Sequence, residues 1–183
     1  MKKDKALQVA YAAGLFDGEG CIICLHRTDK KGHHYRVALQ VWMSSSEWVD
    51  HMVGIFGGKV RMSYGGTKKP GWIWDLQGLP KVKKALKTML QFLKVKRIEA
   101  ELALRLIDRM IVAQRRNTKG VRFNKGLSDH EIEQRQKLLD AIKYRKEIQF
   151  GIPKCIPKDQ HKFICAAVET NYSDNVKSKT LRS

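Results

Sequence analysis

Between His34 and Trp42 the chain alternates. Tyr35, Val37, Leu39 and Val41 fall on one side, and His34, Arg36, Gln40 and Trp42 on the other. A period of two predicts a half-buried strand. Gly20 to Thr28, rich in Ile and Cys, reads as the strand before it, with Asp29-Lys30-Lys31-Gly32 as the turn. Lys59–Tyr64 and Gly71–Gln77 predict a second hairpin across a Gly-Gly-Thr-Lys-Lys-Pro turn. There Lys59, Arg61 and Ser63 oppose Val60 and Met62, while Asp75 and Gln77 oppose Trp72, Trp74 and Leu76. Each hairpin thus has an apolar face that needs helices behind it and a polar face free to meet a partner.

Helical patterns fill the intervals. Lys5–Asp17 follows a plausible N-cap at Asp4 and is stopped by Gly18 and Gly20. Ser44-Ser45-Ser46-Glu47 resembles a cap for a helix over Trp48–Phe56, which Gly57-Gly58 ends. Further helices are expected over Pro80–Leu93 and Lys96–Gln114, the latter with Ile98, Leu102, Leu106 and Ile107 on its apolar side. A last amphipathic helix over Leu127–Phe150 opens with Ser128 and, three residues on, Glu131. Beyond Gly151, Pro153 and Pro157 predict an extended arm. The order is α+β, αββαββα, with a core over residues 1–115, a helical extension over 116–150 and an arm over 151–183. No internal repeat is visible.

Charge changes the picture. Lys and Arg number 36 against 18 Asp and Glu, a formal net charge of +18. That excess predicts a polyanionic partner, nucleic acid before an anionic membrane. It is also uneven: Lys59–Arg97 holds eleven basic residues and one acid, Asp75, whereas Leu127–Gln149 balances five acids with five bases. A polar sheet face carrying Arg, Lys, Gln and His suits the DNA major groove, with surrounding lysines drawn to phosphates. The longest apolar stretch, Ala10–Leu25, is interrupted by Asp17 and Glu19, well short of a spanning helix of ~20 residues. The N-terminus, Met1-Lys2-Lys3-Asp4-Lys5, leads into a helix and not a signal segment. The expected location is intracellular, in cytoplasm or an organelle, not secreted. Cys21 and Cys24 form a lone C-x-x-C, and Cys155 and Cys165 flank His161 at the wrong spacing for a matching pair. They read as reduced thiols, not as a zinc site.

The first helix carries the candidate chemistry. Ala6, Ala10, Ala13 and Gly14 make it rich in small residues, with Ala10 and Gly14 four apart on one face. Such a stripe lets two backbones approach, either the helix and its own sheet or two copies across a symmetric interface. The helix ends on Asp17 and Glu19, in the unfavourable field of its C-terminus. Two such tips brought together favour a hard divalent cation.

Ala12-Ala13-Gly14-Leu15-Phe16-Asp17-Gly18-Glu19-Gly20 resembles the LAGLIDADG signature of homing endonucleases. It departs in the first residue and substitutes Phe, Gly and Glu at later positions. Leu93-Lys94-Val95-Lys96 and Ile98-Glu99-Ala100-Glu101-Leu102 resemble the family's lysine segment after the second hairpin, and Trp48–Gly58 fits its first half. The likeness covers residues 5–110 or so. It implies a saddle-shaped antiparallel sheet and a double-strand DNA endonuclease using Mg2+, or Mn2+ or Ca2+ in its place. Glu19 and the Gly18 carbonyl would hold the metal. Lys96, with Lys94 as second choice, would be catalytic. Asp17 would cap or orient the neighbouring motif helix, with Ala10, Ala13 and Gly14 in the dimer interface. One motif copy implies a homodimer and a near-palindromic site. Expected DNA-binding residues are Arg27, Lys30, Lys31, His34, Arg36 and Gln40 on the first hairpin. On the second they are Lys59, Arg61, Ser63, Lys68, Lys69, Asp75 and Gln77. Some members place Gln and Arg after the second strand to order water; Met43-Ser44-Ser45-Ser46 stands there instead.

Parity puts Cys21, Ile23, Leu25 and Arg27 on the DNA side with Glu19, and Ile22, Cys24 and His26 towards the core, unless a bulge after Cys24 exchanges them. Two other functions use the same scaffold. One is an RNA-binding maturase, which would add RNA as a partner. The other is a DNA-binding regulator without cleavage, against which Glu19 and Lys96 argue. Lys177, Lys179 and Arg182 would let the arm lie along DNA or flank the dimer.

Overall fold

The computed structural model describes residues 3–30, 32–64, 70–118 and 127–149. Lys31, Lys68, Lys69, Cys155, His161, Cys165 and the expected arm over 151–183 lie outside the described residues. Nine elements follow in order: α1 (Lys3–Glu19), β1 (Gly20–Asp29), β2 (Gly32–Met43), α2 (Ser46–Phe56), β3 (Lys59–Tyr64), β4 (Pro70–Leu76), α3 (Leu79–Met89), α4 (Arg97–Thr118) and α5 (Asp129–Gln149). Two units result, Met1–Ile142 and Lys143–Ser183. Of the second, the described part is the end of α5.

The strands form one antiparallel sheet in the order β1-β2-β4-β3. Cross-strand pairing of β1 with β2 is unbroken from Gly20↔Val41 to Asp29↔Gly32, so no bulge interrupts the parity of β1. Ile22 is buried and Leu25 is 52% exposed. His26 faces the helical side, where its ring stacks on Tyr35 at 4.4 Å. A histidine is tolerated there because Tyr35 covers its face and His33 meets its edge, Nε2 to Nδ1, at 2.9 Å.

The apolar face is covered by helices. Val9, Ala12, Ala13 and Phe16 of α1 are fully buried, at the i, i+3, i+4, i+7 spacing of one helix face. They meet a core that includes Val37, Leu39, Val41, Trp74, Leu76, Val49 and Met52. Trp74 is fully buried, and its indole N–H donates to the Gly57 carbonyl at 2.7 Å, which removes the cost of burying that donor. Gly57 and Gly58 have φ of 70° and 107°. A Cβ on Gly58 would also lie 2.8 Å from the Asp75 carbonyl, so the turn out of α2 demands glycine twice over. Ser45 occupies the N-cap of α2 as expected, but its hydroxyl makes no cap bond.

Several helix boundaries differ from expectation. α1 runs Lys3–Glu19, so Asp4 lies in its first turn and not at its N-cap, and Gly18 is inside the helix. α2 begins at Ser46, two residues early, and α4 runs on to Thr118. The helix expected over Pro80–Leu93 ends at Met89, where Phe92 and Leu93 N–H both turn back to the Met89 carbonyl. α4 starts at Arg97, not Lys96, because Lys96 is drawn into the contact described below. At α5, Ser128 Oγ accepts from the Glu131 N–H at 3.3 Å, half of the expected capping box. The Glu131 carboxylate does not close the other half. It bonds Arg109 at 2.7 Å and Arg135 at 2.9 Å instead, and Arg135 in turn lies over the Tyr35 ring. Burial works to raise the Glu131 carboxyl, but hydrogen bonds and charge from the two guanidiniums outweigh it and hold the group below the ordinary carboxylate range.

Candidate nuclease site and DNA face

α1 runs straight into β1, so the acidic helix tip sits at the start of the first strand. Asp17 is the pivot. Its Oδ2 accepts the N–H of Lys94 at 2.6 Å and of Val95 at 3.2 Å, and its Oδ1 accepts the N–H of Lys96 at 2.9 Å. These donors precede the N-terminus of α4, where N–H groups lack helical acceptors and the helix dipole favours an anion. The carboxylate expected to cap or orient a neighbouring motif helix thus holds three backbone N–H groups of its own chain.

The same contact places the lysine. Lys96 is only 6% exposed, and its Nζ donates to the Asp17 carbonyl oxygen. An ammonium pays little for burial when it meets carbonyls at the negative end of a helix. Lys94 is exposed, and only its backbone joins the contact. Gly18 and Glu19, which follow Asp17 in the chain, are exposed. Among the described residues no group of three His, Cys, Asp or Glu is close enough to hold a metal ion. One chain offers a single exposed carboxylate with the Gly18 carbonyl beside it in sequence, an all-oxygen donor set of the kind hard cations accept.

α1 has a second surface. Leu7 is 62% exposed and Tyr11 48%, with Gly14 also exposed and Ala10 half-buried. A Cβ added at Gly14 would meet nothing within 4 Å. Tyr11 packs against Trp48 and His51 of α2, at ring separations of 5.7 and 5.4 Å. Ala13 corrects the expected interface. It is fully buried in the chain's own core, because it belongs to the stripe with Val9, Ala12 and Phe16.

The registers of the strands assemble the other face of the sheet. Cys21, Gln40, Asp75 and Lys59 form one row across all four strands. Trp42, Ile73 and Arg61 form the next row towards one end. Ile23–Ala38, Leu25–Arg36 and Arg27–His34 continue towards the hairpin tip. Ser63 lies opposite Gly71. Arg27, Lys30, His34, Arg36, Lys59, Arg61 and Gln77 are exposed, while Gln40, Ser63 and Asp75 are half-buried. His34 is tied to Asp29 at 3.1 Å. The face also carries Trp42, whose ring covers Gly71 so closely that a Cβ there would collide with it. Strand parity already marked that position; its placement over a glycine appears only in three dimensions. Cys21 is exposed and Cys24 half-buried, three apart on one strand and so on opposite faces, which prevents the pair from chelating an ion.

Solved structures share this fold. The homing endonuclease I-CvuI, solved with a DNA target in the presence of Mg, is 21% identical with a TM-score of 0.63, over 91% of this chain and 96% of that one. The chain has the LAGLIDADG homing endonuclease fold. An archaeal intron-encoded homing endonuclease complexed with DNA shares it at 11% identity and a TM-score of 0.62, over 90% of this chain and 96% of that one. The LAGLIDADG homing endonuclease I-GzeII, in complex with its DNA target, matches at 14% identity and a TM-score of 0.56, over 81% of this chain and 51% of that one. No family model and no curated protein matches the sequence. Within the LAGLIDADG fold, the helix that names it is α1, and the sheet face just described is the one α1 does not cover. Among the described residues no helix is long and apolar enough to cross a membrane.

Proposed function

We propose that the protein is a site-specific DNA endonuclease that acts as a homodimer on a long, near-palindromic duplex and requires a divalent cation. One observation carries the reading: an exposed carboxylate, Glu19, ends α1 two residues after Asp17, whose carbonyl receives the buried Lys96 ammonium, and leads into a polar, basic sheet face. The DNA targets in the solved structures of the same fold support it.

Glu19 and the Gly18 carbonyl would hold Mg2+, or Mn2+ or Ca2+ in its place. When bound, such a cation activates water and offsets charge on the phosphate. The chain's own residues do the rest. Lys96 brings a positive charge that offsets the charge developing on a phosphoryl oxygen. Asp17 sets its position by holding the backbone of residues 94–96. Lys94, exposed on the same turn, attracts phosphate without being fixed. On the sheet, Arg36, Arg61, Gln40 and Gln77 read base edges, and Arg27, Lys30 and Lys59 meet phosphates or outer bases. Lys31, Lys68 and Lys69 would add positive charge for the phosphates.

Dimerisation explains α1. One side of this helix is core and the other carries Leu7, Tyr11, Ala10 and Gly14, so it is apolar or small nearly all round, as helices buried on both sides are. A second copy covers that side and brings the second Glu19 to the centre of the site.

The test uses the full chain, Mg2+ and a library of randomised duplexes. The wild type should make double-strand cuts at a selected site. Glu19→Gln should cut at least about a thousand-fold more slowly while binding within a few-fold of wild type. Cutting that survives Glu19→Gln, or a protein that binds RNA and never nicks DNA, would overturn the proposal.

A further inference from the structure

Asp75 is out of place on a nucleic-acid face. It is the one acid between Lys59 and Arg97, and it lies in the middle of the row Cys21–Gln40–Asp75–Lys59. A carboxylate facing phosphates is repelled by them. Its surroundings show what it does instead. Gln40 Nε2 donates to Asp75 Oδ1 at 3.4 Å, and Gln77 Nε2 donates to Asp75 Oδ2. One carboxylate thus holds a glutamine amide on each of its oxygens.

An ionised carboxylate only accepts hydrogen bonds. The amide edge turned towards it must be the NH2, because the opposite flip would set oxygen against oxygen. Both glutamines therefore point Oε1 away from Asp75, each keeping one free N–H beside that oxygen. This order matches adenine, whose N6 amino group donates to Oε1 while N7 accepts the N–H. Cytosine N4 also finds an acceptor, either Oε1 or a spare lone pair of Asp75. Guanine in the same register still offers N7 to the N–H but sets O6 against Oε1, and thymine sets O4 against it, acceptor towards acceptor.

We propose that Asp75 is a positioning residue for base reading: by fixing the amide orientation of Gln40 and Gln77 it directs both towards amino-bearing bases, adenine and cytosine, and against guanine and thymine. This rests on the duplex-DNA reading above. A glutamine without the carboxylate rotates its amide to suit either kind of base. Asn in place of Asp75 both donates and accepts, so it permits both flips.

The experiment is binding selection from a randomised duplex library, without divalent cation, by the full-length wild type, Asp75→Asn, Gln40→Leu and the double variant. For the wild type, two positions per half-site, one met by each glutamine, should prefer adenine or cytosine over guanine or thymine by about 5- to 150-fold, the range for one good bidentate contact. Asp75→Asn should flatten that preference to within about three-fold. In the Gln40→Leu background, Asp75→Asn should cause no further change at the base Gln40 meets. Gln77→Leu gives an independent arm should Asp75→Asn fold poorly: it should weaken one amino-base preference and leave Gln40's intact. An unchanged base matrix in Asp75→Asn sinks the proposal. So does a uniform loss of affinity for every sequence, which is what a merely structural Asp75 would give. A wild type that binds no duplex at all sinks the function proposed above together with this one, whereas a selective wild type with an unaltered Asp75→Asn matrix sinks this one alone.

Discussion

Replacing Asp17 with Ala removes the acceptor for three backbone N–H groups at 2.6, 3.2 and 2.9 Å. Bonds to a charged acceptor contribute about 1.5–3 kcal/mol each, so a simple sum would approach 5–9 kcal/mol. The sum overstates the loss. Two of the three bonds are exposed, and water replaces the carboxylate there; the Lys96 bond is part-buried and keeps most of its value. The expected cost is about 2–4 kcal/mol, from the top of the range for loss of a helix cap upwards, because three N–H groups share the acceptor. For a chain of this size that is about 5–15 °C in melting temperature. Asp17→Asn, which keeps one acceptor oxygen, should cost about half as much. Urea denaturation followed by tryptophan fluorescence measures this directly, and it should be run over a hundred-fold range of protein concentration. A strut within one chain gives a loss that does not depend on concentration, whereas a cap between subunits gives one that grows on dilution. Because Lys96 hangs from the same backbone, cutting should also fall about 10- to 100-fold under saturating DNA. A loss below about 0.5 kcal/mol, or one seen only in dilute protein, would refute the role given to Asp17.

Two glycines of the motif should part company. A Cβ on Gly20 would run into the ring and carbonyl of Phe16, so Gly20→Ala should destabilise by about 1–3 kcal/mol and displace Glu19, ending cleavage; Gly14→Ala has open space and should leave the melting temperature of isolated chains unchanged or slightly higher while weakening self-association in sedimentation. Glu131→Gln should cost about 2–3 kcal/mol at neutral pH, because Arg135 is buried and loses its anion. The Glu131 carboxyl in the folded chain titrates below its ordinary 4.5, so its stabilisation is complete at neutral pH and is lost as pH falls through that lower value. The wild type should therefore lose more stability than Glu131→Gln between pH 6 and about pH 3, as read by thermal melts.

Much of the fold was legible in residue order. Alternation at His34–Trp42 and Lys59–Tyr64 defined strands and their faces, since side chains on a strand point alternately to opposite sides whatever the surroundings. Glycine pairs marked the turn after α2, because few other residues reach its backbone angles. The acidic tip at Glu19 and the lysine segment at 94–96 also stood out as short local patterns.

What tertiary structure decided concerns partners distant in sequence. Local pattern did not separate Ala13 from Ala10 and Gly14, since all are small; only packing against the sheet sends Ala13 inward and leaves the other two at the surface. Nor did it show that Asp17 spends its carboxylate on residues 94–96, or that Lys96 and not Lys94 turns inward, because those bonds join positions nearly eighty residues apart. The same holds for Asp75 holding Gln40 across a strand pair. Periodicity fixes which way a side chain points, but a hydrogen bond needs both ends, and only the folded chain brings the second end into reach.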